Sequence, residues 1–253
     1  MTGTFDMNVF QMLRLPDMVS LLNLICGIGS IAVAAQSNSF GFALILLLIA
    51  AIADGADGYI ARRFKGGELG EQLDSLADAV SFGVAPALLI FLEFGEQDPL
   101  VAIFAAFYAV CGVLRLARFN STISTSKPGF EGLPITAGCI MLVTYLLLGE
   151  SIVGIAFLLA LTLALSILMV SSVSYPKIRD TRVLAFVAAV FGITILLYFI
   201  DLEYMRLFSF LPFILMLTYL FSPFLKVPLI SPVNSKEQGN KKGLKAGGRN
   251  EKQ

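Results

Sequence analysis

The sequence predicts an all-α polytopic membrane protein with about eight transmembrane helices, and three observations carry that prediction. The 253-residue chain is 57% hydrophobic and only 14% charged, where a soluble domain carries about a quarter charged residues. Its apolar residues come in blocks of about twenty parted by short polar breaks, the pattern of segments that cross a bilayer. Threading those blocks through a membrane then sorts the basic residues almost wholly to one side.

Residues 1–16 form a mixed opening segment. Phe5, Val9, Met12 and Leu13 recur at helical spacing, with Asp6, Asn8 and Arg14 off that stripe. The segment reads as a helix lying in the membrane interface or as a disordered start. No cleavable signal peptide is expected, because Asp6 precedes Arg14 and no small-residue cleavage site follows a short apolar core.

The candidate spans are 18–35, 39–61, 73–92, 99–117, 133–149, 151–172, 183–200 and 205–225. The block 133–172 is interrupted only by Gly149-Glu150-Ser151. It must be a tight helical hairpin, since one helix of that length would overrun a bilayer core of ~30 Å. Gly132-Leu133-Pro134 is expected to start the fifth helix with Pro134 in its first turn. Tyr175-Pro176 is expected to end the sixth, since the residue before proline disfavours helix.

With the N-terminus inside, the inner face receives Arg14, Arg62, Arg63, Lys65, Arg115, Arg118, Lys127, Lys177, Arg179, Arg182 and the basic tail. The outer face receives only Arg206, among acidic turns that hold Glu93, Glu96, Asp98, Glu150, Asp201 and Glu203. This split predicts cytoplasmic termini in a cell membrane. Residues 226–253 are rich in Gly, Lys and Asn and too polar to fold alone, so a disordered basic cytoplasmic tail is expected, with an electrostatic lipid tether as the alternative.

Net charge is zero, which gives no footing for nucleic-acid binding. The chain has no histidine, so proton transfer falls to carboxylates. Cys26, Cys111 and Cys139 lack metal-type spacing and read as small residues of spans.

The stretch DGADGYIARR (54–63) stands at the end of a long apolar block, and LGEQLDSLAD (69–78) opens the next. Asp54 and Asp57 are three apart and Asp74 and Asp78 four apart, so each pair lies on one helix face. Charge threading puts both pairs at the cytoplasmic ends of consecutive antiparallel helices. Four carboxylates at one point need a counter-charge, because intramembrane acids are costly without a partner. Oxygen-only ligands favour Mg²⁺ or Mn²⁺, and two ions would clamp phosphate oxygens. Gly55, Gly58 and Ala61 leave room beside the acids, and Arg62 can grip a phosphate through its planar fork. Two other readings of the acids are a cluster of structural Asp–Arg pairs and a carboxylate-lined cation transporter. The transporter predicts a second copy of the Asp set, and none is present.

The full pattern D-x2-D-G-x2-A-R-x7-G-x3-D-x3-D, from Asp54 through Gly70 to Asp78, closely resembles the signature of the CDP-alcohol phosphatidyltransferases. The resemblance implies a membrane enzyme that moves a phosphoalcohol unit from a CDP-activated donor to a hydroxyl and releases CMP. It implies a core of six transmembrane helices, here residues 17–180, often paired as a homodimer, with two further helices at 181–225. By the same resemblance Asp54, Asp57 and Asp74 would bind one metal ion, and Asp57, Asp74 and Asp78 would contact a second. Gly58, Ala61 and Arg62 would lie by the nucleotide diphosphate, Gly70 would allow chain segments to approach closely, and Asp78 would be the general base.

Further stretches resemble the serine-accepting, CDP-lipid-dependent branch of that family. They are LPDMVSLLNLICG, SLADAVSFGVAPA, LRLARFN, FEGLPITAG and VSSVSYPKIRD. They imply serine as acceptor and a CDP-linked diacyl or dialkyl glycerol as donor. Glycerol phosphate, inositol, inositol phosphate, or choline phosphate with a diradylglycerol are the rival substrates. Serine brings a carboxylate and the donor brings phosphates, so Arg115, Arg118, Asn120 and Lys127 are candidate pocket residues. For both arginines, anchoring at the inner face is the competing role.

Overall fold

The structure is a computed structural model, and it describes residues 13–36, 39–61, 69–122, 130–149, 151–176 and 180–225. The opening segment before residue 13 and the basic tail from 226 lie outside the described residues.

Helix α1 spans Leu15–Ala35. Pro16 stands in its first turn, where a missing N–H costs nothing. Asp17 reaches back to accept the Arg14 main-chain N–H at 2.7 Å. Helix α2 spans Phe40–Ala61. Helix α3, Gly70–Asp78, runs without a break through a π turn, Ala79–Val84, into α4, Ala85–Phe94, so the three form one rod. Helix α5 is Leu100–Thr122, α6 Ile135–Leu146 and α7 Ile155–Val170. Helix α8 is Thr181–Ile200, α9 Leu202–Phe208 and α10 Phe210–Leu225.

Counting the α3–α4 rod once and α9–α10 once, these elements answer the eight predicted spans in order. Among the described residues, five passages are long and apolar enough to cross a membrane, and three apolar helices are shorter: Phe40–Ala56, Ile135–Leu146 and Ile155–Val170. The protein is an all-α polytopic membrane protein. Its outward side chains agree, since Ile25, Ile103, Leu196, Phe199 and Ile200 are exposed where a soluble protein would bury most such residues.

Helix α6 lies at the centre, with Ile135 and every residue from Ala137 to Leu146 buried. A helix apolar all round belongs inside a bundle. Its first residue wedges between small residues of two neighbours. A Cβ on Gly112 of α5 would come 2.8 Å from Ile135 Cδ1, and one on Gly83 of the π turn 3.3 Å from the same atom. Small residues let helices approach closely where no water drives them together.

Helix α1 is polar inside and apolar outside. Asp17, Ser20, Asn23 and Ser30 are buried, while Met18, Leu22, Ile25 and Ile28 are exposed. The buried set faces α2 and the α3–α4 rod.

Two local expectations are corrected. Pro134 precedes the fifth helix as its N-cap, with extended φ −58° and ψ 139°, and Ile135 begins the helix. The sixth helix stops at Val170, well before Tyr175, because Ser171 turns extended. Phe130–Glu131 (β1) then pairs antiparallel with Ser174–Tyr175 (β2). Gly132 N–H donates to Val173 O at 2.8 Å and Leu133 N–H to Leu168 O at 3.0 Å. The expected hairpin between the fifth and sixth helices is present, with Gly149 at φ +90°.

Candidate active site

The end of α2 and the start of α3 meet at one end of the bundle. There Asp54, Asp74 and Asp78 bring carboxylate oxygens within 4.8 Å of one another. Asp54 accepts a hydrogen bond from Thr136 Oγ1 of α6 at 3.3 Å. Asp78 is the buried member, and its Oδ1 accepts from Asn23 Nδ2 of α1 at 3.1 Å. The π turn begins directly after Asp78. Such turns add a residue to the helical path and recur at functional sites.

The three carboxylates fit a divalent cation. Oxygens on opposite sides of one such ion stand about 4.2 Å apart at bond lengths of about 2.1 Å, close to the spread seen here. The donors are anionic oxygens only, which hard cations take in preference to softer metals. Asp57 belongs to α2, but its side chain lies outside the described residues, as do those of Gly58 and Ala61. Arg62 and Lys127 lie wholly outside them.

Gly70 begins α3 close against α1. A Cβ there would stand 2.9 Å from Asp17 Oδ1. Arg115 is buried near the end of α5, within electrostatic reach of Asp78 and Asp54, with its guanidinium carbon 5.3 Å from the Phe119 ring centre. Asn120 exchanges hydrogen bonds with Ser75 of α3 at 3.0–3.1 Å. Arg118 donates to four main-chain carbonyls: Met169, Val170 and Ser171 at the end of α7, and Glu131 in β1. That clamp ties α5 to two loops on the carboxylate side of the bundle. Cys26, Cys111 and Cys139 are all buried free thiols.

Four residues at this site were not singled out from sequence: Asp17, Asn23, Ser81 and Thr136. The signal for the first two was available. A carboxylate and an amide in an apolar span are costly and call for a partner.

Residues 13–170 match the family described as CDP-alcohol phosphatidyltransferase. The chain belongs to that family. The match ends where α7 ends, so α8 to α10 lie beyond it. The chain is 35% identical over 177 residues to an archaetidylserine synthase of Methanothermobacter thermautotrophicus, covering 68% of this chain and 74% of that one. It is 39% identical over 171 residues to a CDP-diacylglycerol–serine O-phosphatidyltransferase of Methanocaldococcus jannaschii, covering 67% and 77%. A Helicobacter pylori protein of the same name is 32% identical over 175 residues, covering 66% and 73%. Within the matched region of this CDP-alcohol phosphatidyltransferase lie all the aspartates of the signature.

Proposed function

We propose that this enzyme transfers the phosphatidyl or archaetidyl group of a CDP-linked lipid to the hydroxyl of L-serine and releases CMP. The observation that carries the chemistry is the convergence of Asp54, Asp74 and Asp78 at one end of the bundle. The choice of serine is supported by the names of the similar proteins.

Asp54, Asp57 and Asp74 would hold one divalent ion, and Asp57, Asp74 and Asp78 a second, either Mg²⁺ or Mn²⁺. Such ions supply positive charge to the donor diphosphate and to the departing CMP. Asp78 takes the proton of the serine hydroxyl. The serine oxygen forms a bond to the lipid-side phosphorus as the bond from that phosphorus to the CMP oxygen breaks. Gly58, Ala61, Arg62 and Gly70 border the CDP, with Arg62 gripping a phosphate. Arg115, Arg118, Asn120 and Lys127 form the polar acceptor pocket, in which Arg115 is the cation beside the carboxylates and Arg118 fixes the surrounding loops.

The same reading gives the segments their roles. Residues 1–16 are an interfacial segment, 17–180 the catalytic core, 181–225 two added transmembrane helices and 226–253 a basic tail. Both termini and the active site face the cytoplasm of a cell membrane. The chain works as a homodimer, with membrane lipids as its surroundings and no nucleic-acid partner.

The test is CMP release by purified protein in detergent, with a CDP-lipid and Mn²⁺ or Mg²⁺, with and without serine. Glycerol phosphate and inositol phosphate are the control acceptors, and Asp78→Asn the control variant. Serine-dependent, metal-dependent release lost in the variant supports the reading. Release with another acceptor alone keeps the family chemistry and removes serine.

A further inference from the structure

Asn23 lies fully buried in the middle of α1, where an amide is costly. One end of that amide has a purpose: Nδ2 donates to Asp78 Oδ1 at 3.1 Å. The other end has none among the described residues, since Oδ1 is buried without a hydrogen-bond partner. An unpaired buried carbonyl costs about 1–3 kcal/mol, and an apolar side chain of the same shape would avoid that cost. A leucine would therefore suit the packing better, and what the amide adds is its N–H group on Asp78.

The backbone around Asn23 is fixed independently of that bond. Ser81 Oγ, one turn beyond Asp78, donates to the main-chain oxygen of Asn23 at 2.9 Å. One turn along α1, a Cβ on Gly27 would come 2.8 Å from Ser81 Cα. Helix α1 and the rod are thus pressed together at Gly27 and Ser81, and that contact sets the register at which Asn23 meets Asp78. The amide's sense is fixed as well, because its carbonyl turned to Asp78 would oppose two acceptors.

Asp78 needs such a hold. It shares a small volume with Asp54 and Asp74, whose like charge drives its carboxylate outward. We propose that Asn23 is a positioning residue for Asp78. It pins one carboxylate oxygen and keeps the other turned toward the ion site and the incoming hydroxyl. The catalytic half of this statement rests on the proposed role of Asp78 as base; the geometric half does not.

The test uses the full-length protein in detergent and three readouts: thermal unfolding, Mn²⁺ affinity by electron paramagnetic resonance, and CMP-release kinetics. Asn23→Leu is expected to keep the melting temperature or raise it. Mn²⁺ binding or kcat should fall about 10-fold or more, the range for groups that orient metal ligands, while KM for the CDP-lipid stays within about threefold. In an Asp78→Asn background, Asn23→Leu should cause no further loss of Mn²⁺ affinity, because its partner is already altered. Asn23→Ala repeats the series should leucine crowd the site. Wild-type kcat and Mn²⁺ affinity in the folded variants would overturn the proposal. So would losses that add to those of Asp78→Asn, which would mean that Asn23 acts elsewhere. Should Asp78→Asn itself keep full CMP release, the base assignment fails, while the Mn²⁺ cycle still reports the coupling.

Discussion

A Cβ built on Gly70 would stand 2.9 Å from Oδ1 of Asp17, so the start of α3 rests directly on a buried carboxylate of α1. Asp17 has little freedom to retreat, because its other oxygen accepts the Arg14 main-chain N–H at 2.7 Å. Gly70→Ala is expected to destabilise the fold and reduce activity by tilting α3 and with it Asp74. A double-mutant cycle with Asp17→Ala should show a coupling of about 0.5–3 kcal/mol, the range for residues in contact. Thermal unfolding of the four proteins measures it, and strictly additive effects would rule out the contact.

Gly149 makes the hairpin between α6 and α7 at φ +90°, in the region that L side chains rarely adopt. Arg206 closes over it, with Nε 3.0 Å from where a Cβ would lie. Gly149→Ala should cost about 1–2 kcal/mol from the backbone alone, with more from displacing Arg206. The hairpin is at the opposite end of the bundle from the aspartates. A lowered melting temperature with unchanged Mn²⁺ affinity is the expected pair of results, and a parallel loss of Mn²⁺ affinity would contradict the placement.

The Arg118 clamp predicts a lysine-intolerant position. Its planar fork serves four carbonyls at once, at 2.7–3.1 Å, including three that end α7. Carbonyls at a helix C-terminus lack intrahelical partners and carry partial negative charge, so a cation there satisfies both needs. Lysine keeps the charge but loses the fork. Hydrogen bonds to charged groups contribute about 1.5–3 kcal/mol each. Arg118→Lys should therefore lower the unfolding temperature clearly, and Arg118→Ala further. An alanine variant of wild-type stability would show that the clamp is not structural.

The residues explain which features were legible in the sequence. Asp54, Asp74 and Asp78 could be brought together from spacing and charge threading, because helical periodicity and one short connection leave few ways to arrange them. Asn23 and Thr136 join them from α1 and α6, and only tertiary packing through Gly27, Gly83 and Gly112 decides that. The π turn after Asp78 has no composition of its own to read. The β1–β2 ladder is two residues a side, too short for any alternation to appear. Arg118 could be placed at the inner face from charge threading, but the four main-chain oxygens it holds are ones a sequence cannot mark.

The last helix is stitched to the loop after α7 by two tyrosines, and this gives a test of how the added helices hold. Tyr175 is fully buried, and its Oη donates to Leu220 O of α10 at 3.3 Å. Tyr219 answers from α10, donating to Pro176 O at 3.4 Å, and the two rings lie 5.7 Å apart. Tyr175→Phe removes one hydrogen bond and keeps the ring, so a loss of about 1 kcal/mol is expected. Tyr175→Ala removes the ring as well and leaves a cavity, for which about 3–5 kcal/mol is the usual cost of a large aromatic. The loosening can be read directly, because Lys177, Arg179 and Arg182 place trypsin sites beside the stitch. Cleavage there should be faster in the alanine variant and close to wild type in the phenylalanine variant. Equal cleavage in all three would mean that α10 is held by its contacts with α6 and α8 alone.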